Sequence, residues 1–281
     1  MVKQTMQAWL LIACFSVGAA WAQEPAAARE KPIEPQAAEP AAAKPFEPQV
    51  GQAGRDVVWV PTPAVLVEKM LDVAKVTAKD FVMDLGSGDG RNIIAAARRG
   101  ANALGVEYNP DMVEHSRRLA EKAGVADKAR FVQGDMYEAD ISKASVLALF
   151  LLPENMNKLV PKFLGLKPGS RIVANQFAPT GWEADETGRV DGECGSWCTW
   201  LLYIVPARAE GRWRFQGGEL EFEQKFQMLT GKLTVNGASK PVEKGRLRGE
   251  QIMFTVDGRE YRGVVNGDAM VGAGWNATKI R

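Results

Sequence analysis

At 281 residues the chain has room for one large domain or two modest ones, and 46% hydrophobic with 25% charged residues is the make-up of a globular protein with a real core. The formal charge is +1, and no clustered basic stretch marks a nucleic-acid footprint, so no nucleic-acid partner is expected.

The chain opens with Lys3, an apolar run from Ala8 to Ala20, and the small-residue pattern Ala20-Trp21-Ala22 before Gln23. This reads as a signal peptide over residues 1–22 and predicts export, either into the periplasm or anchored in the membrane facing it. Two rivals stay open. Leu11-Ile12-Ala13-Cys14 has the form of a lipoprotein processing box, and an uncleaved anchor is the other, although the run is shorter than the roughly 20 residues that span a bilayer comfortably. Residues 23–54 are Ala/Pro-rich with few large apolar side chains. Such a segment buries too little surface to offset the entropy of ordering, so a disordered linker is expected.

From Asp56 short apolar runs alternate with amphipathic stretches, the pattern of a parallel sheet flanked by helices. Helices are predicted near 63–74, 91–99, 111–123 and 154–164, and strands at 81–85, 103–107, 130–133, 146–152 and 171–177. Continuous runs such as VLALFLL suit central strands covered on both faces. WLLYIVPA and GRWRF read as the hairpin that closes the sheet, which puts an α/β Rossmann-like domain over 55–216. Residues 217–281 are short strand-like segments separated by NG, DG and NGD turns, predicting a small antiparallel all-β module, a meander or partial barrel.

Cys194 and Cys198 are placed to close a tiny disulfide loop. Two cysteines and the single His115 do not make a usual structural zinc site without carboxylate help, so no metal is expected, and His115 reads as a helix-surface residue. Trp182, Trp197 and Trp200 flank the pair, either as core between two modules or as the lining of a substrate channel.

The chemistry concentrates in Val82-Met83-Asp84-Leu85-Gly86-Ser87-Gly88-Asp89-Gly90, an apolar strand ending in an acid and turning through alternating glycines into a helix. Glycines let a ligand approach the backbone closely, and the helix start offers unpaired N–H groups. The spacing is not the G-x-G-x-x-G dinucleotide pattern, and no GK[ST] follows. The second strand ends in Glu107, whose carboxylate can accept from ribose hydroxyls, and the third in Gly134-Asp135-Met136, an acid for an adenine amino group beside an apolar cover for the ring. Three acids at successive strand ends converge on the crevice where ligands of such sheets bind.

VMDLGSGDG, GVEYNP and FVQGDM, in that order, resemble the nucleoside-binding motifs of class I S-adenosylmethionine-dependent methyltransferases. The resemblance implies that Asp84, Gly86 and Gly88 line the methionine end of S-adenosylmethionine, that Glu107 holds the ribose, and that Asp135 with Met136 holds adenine. WVPTPAVLVEKMLDVAKV and LFLLPENMNKLVPKFLGLKPGSRIV are similar to a lysine methyltransferase subgroup that modifies the ATP synthase c-subunit and the adenine nucleotide carrier. That likeness covers roughly residues 56–182 and implies a protein acceptor, including membrane-associated ones. Where the subgroup is expected to carry Ser-His at the end of the fifth strand, this chain has Ala174-Asn175, which leaves the acceptor open.

The implied reaction is direct displacement at an activated methyl group, for which the protein aligns the nucleophile and excludes water. Glu154 and Asn155 are the candidates for holding the acceptor amine, against the alternative that Pro153-Glu154 only starts a helix. Thr62, between two prolines, is expected to cap the first helix or touch the cofactor. A second functional class stays open: a non-catalytic exported protein that keeps the fold and acts through its β-module.

Overall fold

The computed structural model describes residues 45–281 apart from Glu193, together with Gly18. The leader read in residues 1–22 and the linker as far as residue 44 lie outside the described residues, Gly18 excepted. Residues 45–54 correct the linker expectation at its end, because backbone partners hold them against the rest of the chain. The Phe46 carbonyl accepts from Arg118 Nη2 at 3.0 Å and lies 3.3 Å from His115 Nδ1. Gly51 N–H donates to the Trp59 carbonyl at 2.9 Å, and Ala53 bridges to Val58. His115 is buried beneath this segment and not on the surface, another consequence of the fold-back.

Helix α1 (Ala64–Val73) buries Leu66, Val67, Met70 and Leu71, a spacing that sets one apolar stripe against the sheet. Five parallel strands follow: β1 (Phe81–Leu85), β2 (Asn102–Glu107), β3 (Ala129–Gln133), β4 (Val146–Leu149) and β5 (Arg171–Asn175). They are linked by α2 (Arg91–Arg98), α3 (Pro110–Lys122) and α4 (Pro153–Phe163), apart from a loop between β3 and β4. All four residues of β4 are buried, because helices cover both faces of a central strand. The chain then returns through β6 (Glu186–Arg189) and β7 (Thr199–Ile204), and β7 pairs antiparallel to β5. The resulting order is β3-β2-β1-β4-β5-β7-β6. Strand order reverses between β1 and β4, and the carboxyl ends of those strands open the crevice that such sheets use for ligands.

The opposite ends of β1, β4 and β5 are tied by one polar cluster. Asp80 accepts from the Thr77 amide at 2.8 Å and from Ser145 Oγ at 2.8 Å, and it pairs with Arg171. Burial alone would raise its carboxyl, but the Thr77 amide, Ser145 and the Arg171 guanidinium outweigh that and hold it below the ordinary 3.8. Asp80→Ala is therefore expected to lower stability at pH 7 by about 2–3 kcal/mol, since it strands a partly buried guanidinium. A depressed acid stabilises fully above its unfolded value and loses that contribution as pH falls through the folded value. Urea denaturation should accordingly show the wild-type advantage at pH 7 and lose it on acidification below the ordinary 3.8.

Beyond the sheet, β8 (Gly211–Phe215), β9 (Gly218–Lys225), β10 (Met228–Val235), β11 (Ala238–Arg248), β12 (Gln251–Val256), β13 (Arg259–Asn266), β14 (Ala269–Gly272) and β15 (Trp275–Lys279) form a closed antiparallel barrel. The expected all-β module is thus a complete meander. It closes because Ala277 of β15 pairs with Phe215 of β8, which corrects the reading of GRWRF as part of the sheet's hairpin. The interior is filled by Trp213, Phe215, Phe222, Phe254, Tyr261 and Trp275 among smaller side chains. Closure leaves no free sheet edge.

The barrel sits against the sheet across a mixed contact. Trp182 stacks on Phe226 with centroids 5.0 Å apart, and Arg246 pairs with the buried Asp185 at 3.0 Å. Trp182 is thus core between the two parts, one of the two alternatives its neighbourhood offered.

Candidate functional site

Strand β1 ends in Asp84 and Leu85, and the chain turns through Gly86, Ser87, Gly88, Asp89 and Gly90 into α2. Amides of Gly86 and Ser87 donate to the Val106 carbonyl at 2.8 and 3.1 Å, which fastens the turn onto β2. Gly88 and Gly90 are glycines of necessity, at φ +55° and +78°. A Cβ at Gly88 would also meet the Trp59 indole nitrogen at 2.6 Å, and one at Gly90 the Phe131 ring at 2.5 Å.

Asp84 is 3% exposed, and Asn92 Nδ2 donates to its Oδ2 at 2.9 Å while Oδ1 has no partner among the described residues. Burial pushes this carboxyl well above its ordinary value; the Asn92 hydrogen bond opposes the shift, and the neighbouring Glu107 and Asp89 charges reinforce it. A buried acid with a spare lone pair and two anionic neighbours is complementary to a cationic ligand. The sulfonium and α-ammonium of S-adenosylmethionine meet that requirement, so the residues fit the group.

Glu107, at the end of β2, accepts from the Gly88 amide at 2.9 Å and the Asn109 amide at 3.0 Å. Each oxygen keeps a second lone pair for a ribose hydroxyl. Asp135 accepts from the Tyr137 amide at 2.8 Å and pairs with Arg55 at 2.7 Å. The Tyr137 amide, and then Arg55, hold its carboxyl below the usual range. The Arg55 guanidinium also lies 4.4 Å from the centroid of the Tyr108 ring, so the end of the site at Asp135 is covered by a residue from just past the expected linker.

Around these groups lies a cavity of about 260 Å³. It brings together all six residues expected to bind cofactor: Asp84, Gly86, Gly88, Glu107, Asp135 and Met136. One arm, over β2 and β3, is polar. The other lies over β4 and β5 and is apolar, lined by Phe150, Leu151, Leu152, Phe177 and Trp197. Residues 52–62 form the remaining wall.

The structure does not bring Glu154 and Asn155 into this cavity. Glu154 is exposed in the first turn of α4, and Asn155 is buried with its Nδ2 donating to Tyr137 Oη at 2.7 Å. The wall is made by the three residues just after β4, so a helix beginning at Pro153 starts too late to contribute. Thr62 is likewise corrected as a cap: Pro63 holds the N-cap position without a side-chain hydrogen bond, and Thr62 lines the cavity. Sequence reasoning missed Arg55, Trp59, Tyr108, Phe150 and Phe177 as residues that line the cavity. Trp59 stands in the WVPTP segment, and Tyr108 immediately follows Glu107, so their proximity to the motifs was the available signal. Cys194 and Cys198 are disulfide-bonded and bracket Trp197. Among the described residues no group of three His, Cys, Asp or Glu side chains is placed to hold a metal ion.

A sheet of this order, with a glycine turn and acids at the ends of β1, β2 and β3 facing one cavity, defines a Rossmann-like S-adenosylmethionine-dependent methyltransferase. Comparison with known proteins agrees. The family description of the ANTKMT methyltransferase domain matches residues 84–186. A protein-lysine N-methyltransferase of Saccharolobus islandicus is 42% identical over 153 residues, 53% of this chain and 94% of that protein. The mouse ATP synthase c-subunit lysine N-methyltransferase is 36% identical over 130 residues, 46% of this chain; the chain spans 52% of that enzyme's length. The crystal structure of an RNA methyltransferase from Salinibacter ruber in complex with S-adenosyl-L-homocysteine is 44% identical, covers 53% of this chain and 95% of its own, and superposes with a TM-score of 0.50. The chain belongs to the family of the S. islandicus protein-lysine N-methyltransferase.

Proposed function

We propose that this methyltransferase N-methylates lysine side chains of a protein acceptor outside the cytoplasm. The observation that carries the reading is the division of one cavity into a polar arm, with acids suited to an adenosyl group, and an apolar arm that reaches the surface at Leu152 and Trp197. A long side chain can enter that second arm amine first, with its methylene stem lying along the apolar lining. Its amine must arrive without its proton, although the reference pKa of lysine is about 10.4, and an apolar surround favours that loss. The chain's own residues then bind, orient and exclude water: Asp84 and Glu107 fix the donor, and the rings over β4 and β5 confine the nucleophile. Names of relatives support the acceptor class, since enzymes of mouse act on the ATP synthase c-subunit and on the adenine nucleotide translocase.

Export is supported by the signal-like pattern of residues 1–22 and by the Cys194–Cys198 disulfide, a bond that persists in oxidising compartments. Incubation of the purified chain with S-adenosylmethionine and either lysine-containing envelope proteins or RNA separates the acceptors. Mass spectrometry should find lysine carrying added methyl groups and unmodified RNA. Methylated RNA, or binding of donor without formation of S-adenosylhomocysteine in either arm, would overturn the proposal.

A further inference from the structure

The apolar arm ends in three aromatic rings drawn from three separate parts of the chain. Phe150 follows β4, Phe177 follows β5, and Trp197 stands between the disulfide-bonded Cys194 and Cys198. Their centroids lie 5.5 Å (Phe177–Trp197), 6.2 Å (Phe150–Phe177) and 6.3 Å (Phe150–Trp197) apart, and all three line the cavity. Trp197 remains 42% exposed, so the rings reach from the cavity to solvent.

Two backbone irregularities present these rings. Gln176, at φ +64°, turns the chain out of β5 so that Phe177 follows, and its amide is fixed by the Thr199 carbonyl at 2.8 Å. Trp197 itself sits at φ +62°. A non-glycine residue there is held against its preference, and such positions concentrate where function requires a side chain to be aimed. Here two of them serve one end of one cavity, and the disulfide closes the loop that carries the second.

Among the described residues, none of the carboxylates lining the cavity stands on this arm. Asp56 belongs to the covering segment, Asp84 to the end of β1, Asp89 to the glycine turn and Glu107 to the end of β2, and Asp135 follows β3. A primary ammonium, with three N–H donors, therefore meets no carboxylate of the described residues among these rings. Each methyl group that replaces a hydrogen removes one of those donors, and the negative faces of aromatic rings attract the cation that results.

We infer that Phe150, Phe177 and Trp197 form a binding site for the alkylated ammonium of the acceptor, which retains partly methylated lysine between rounds. The lysine occupant rests on the function proposed above; the preference of the rings for an alkylammonium does not. In each round the acceptor nitrogen's lone pair forms the new N–C bond as the S–CH3 bond breaks and its electron pair stays on sulfur. The mono- and dimethyl products lose a proton to solvent before the next round, and each round consumes one donor.

Titration calorimetry of the full chain with choline and with its neutral isostere 3,3-dimethylbutan-1-ol tests the site without turnover. Choline should bind at least about fivefold more tightly. Trp197→Phe should keep most of that preference, and Trp197→Ala should lose it. Trp197 is exposed enough for both variants to fold, and circular dichroism verifies that they do. In turnover, wild type should accumulate trimethyllysine and Trp197→Ala mono- and dimethyllysine. Equal affinity for choline and the isostere, or a preference and product distribution unchanged in Trp197→Ala, would overturn the inference. A choline preference lost in Trp197→Ala, with no methylated lysine from either protein, would instead leave the ammonium site standing and remove lysine as the acceptor.

Discussion

Glu107→Ala should weaken S-adenosylmethionine binding by on the order of a hundredfold or more, while leaving the chain folded. The carboxylate is half-buried at the end of β2, where it accepts from the Gly88 and Asn109 amides. Its removal takes away the anionic acceptors for the ribose, at about 1.5–3 kcal/mol for each charge-assisted bond, and also releases the Gly88 amide that shapes the turn. Glu107→Gln keeps one carbonyl acceptor and should lie between the two, roughly tenfold weaker than wild type. Calorimetry or equilibrium dialysis reads both variants. Wild-type affinity in Glu107→Ala would remove the ribose from this position.

Asp84→Asn is expected to move two quantities in opposite directions. Burial and the Glu107 and Asp89 charges raise the Asp84 carboxyl well above the ordinary 3.8, so its ionised form burdens the folded chain. For an acid whose folded value is raised, that burden is absent below the unfolded value and grows as pH rises through the folded one. The neutral amide avoids it, and ligand-free Asp84→Asn should be more stable than wild type at pH 7 by on the order of 1 kcal/mol, with the gap closing toward pH 4. Affinity for the cationic donor should fall in the same variant by about 3 kcal/mol, more than a hundredfold, because a buried charge contact is lost. Donor binding to wild type should also release protons, as a cation beside Asp84 draws its raised carboxyl back down. Titrations in buffers of different ionisation heat would detect that release, and Asp84→Asn should lack it. A variant that is destabilised, or that binds as wild type does, contradicts the role assigned to this carboxylate.

Stability and binding are thus opposed at Asp84, in a cavity that the covering segment closes from above. Residues 52–62 wall the cavity, Arg91 Nη1 donates to the Thr62 carbonyl at 2.6 Å, and Arg55 neutralises Asp135. No local cue announces this closure, because nothing in an Ala/Pro-rich composition says which residue at its end will meet a strand tip some eighty positions away.

What the amino-acid order determined alone was whatever depends on neighbours in the chain. Apolar runs of strand length, amphipathic spacing such as Leu66, Met70 and Val73, and the glycine turn after Asp84 are local signals, and the sheet and the acids at its strand ends follow from them. Tertiary structure decided the rest. Membership of β8 in the barrel rests on the pairing of Phe215 with Ala277, and the apolar arm of the cavity on rings at 150, 177 and 197. The fold-back over the site, likewise, joins Arg55 to Asp135. Each of these contacts closes a long loop, so its energy depends on the register and packing of distant segments, which no periodicity along the chain encodes.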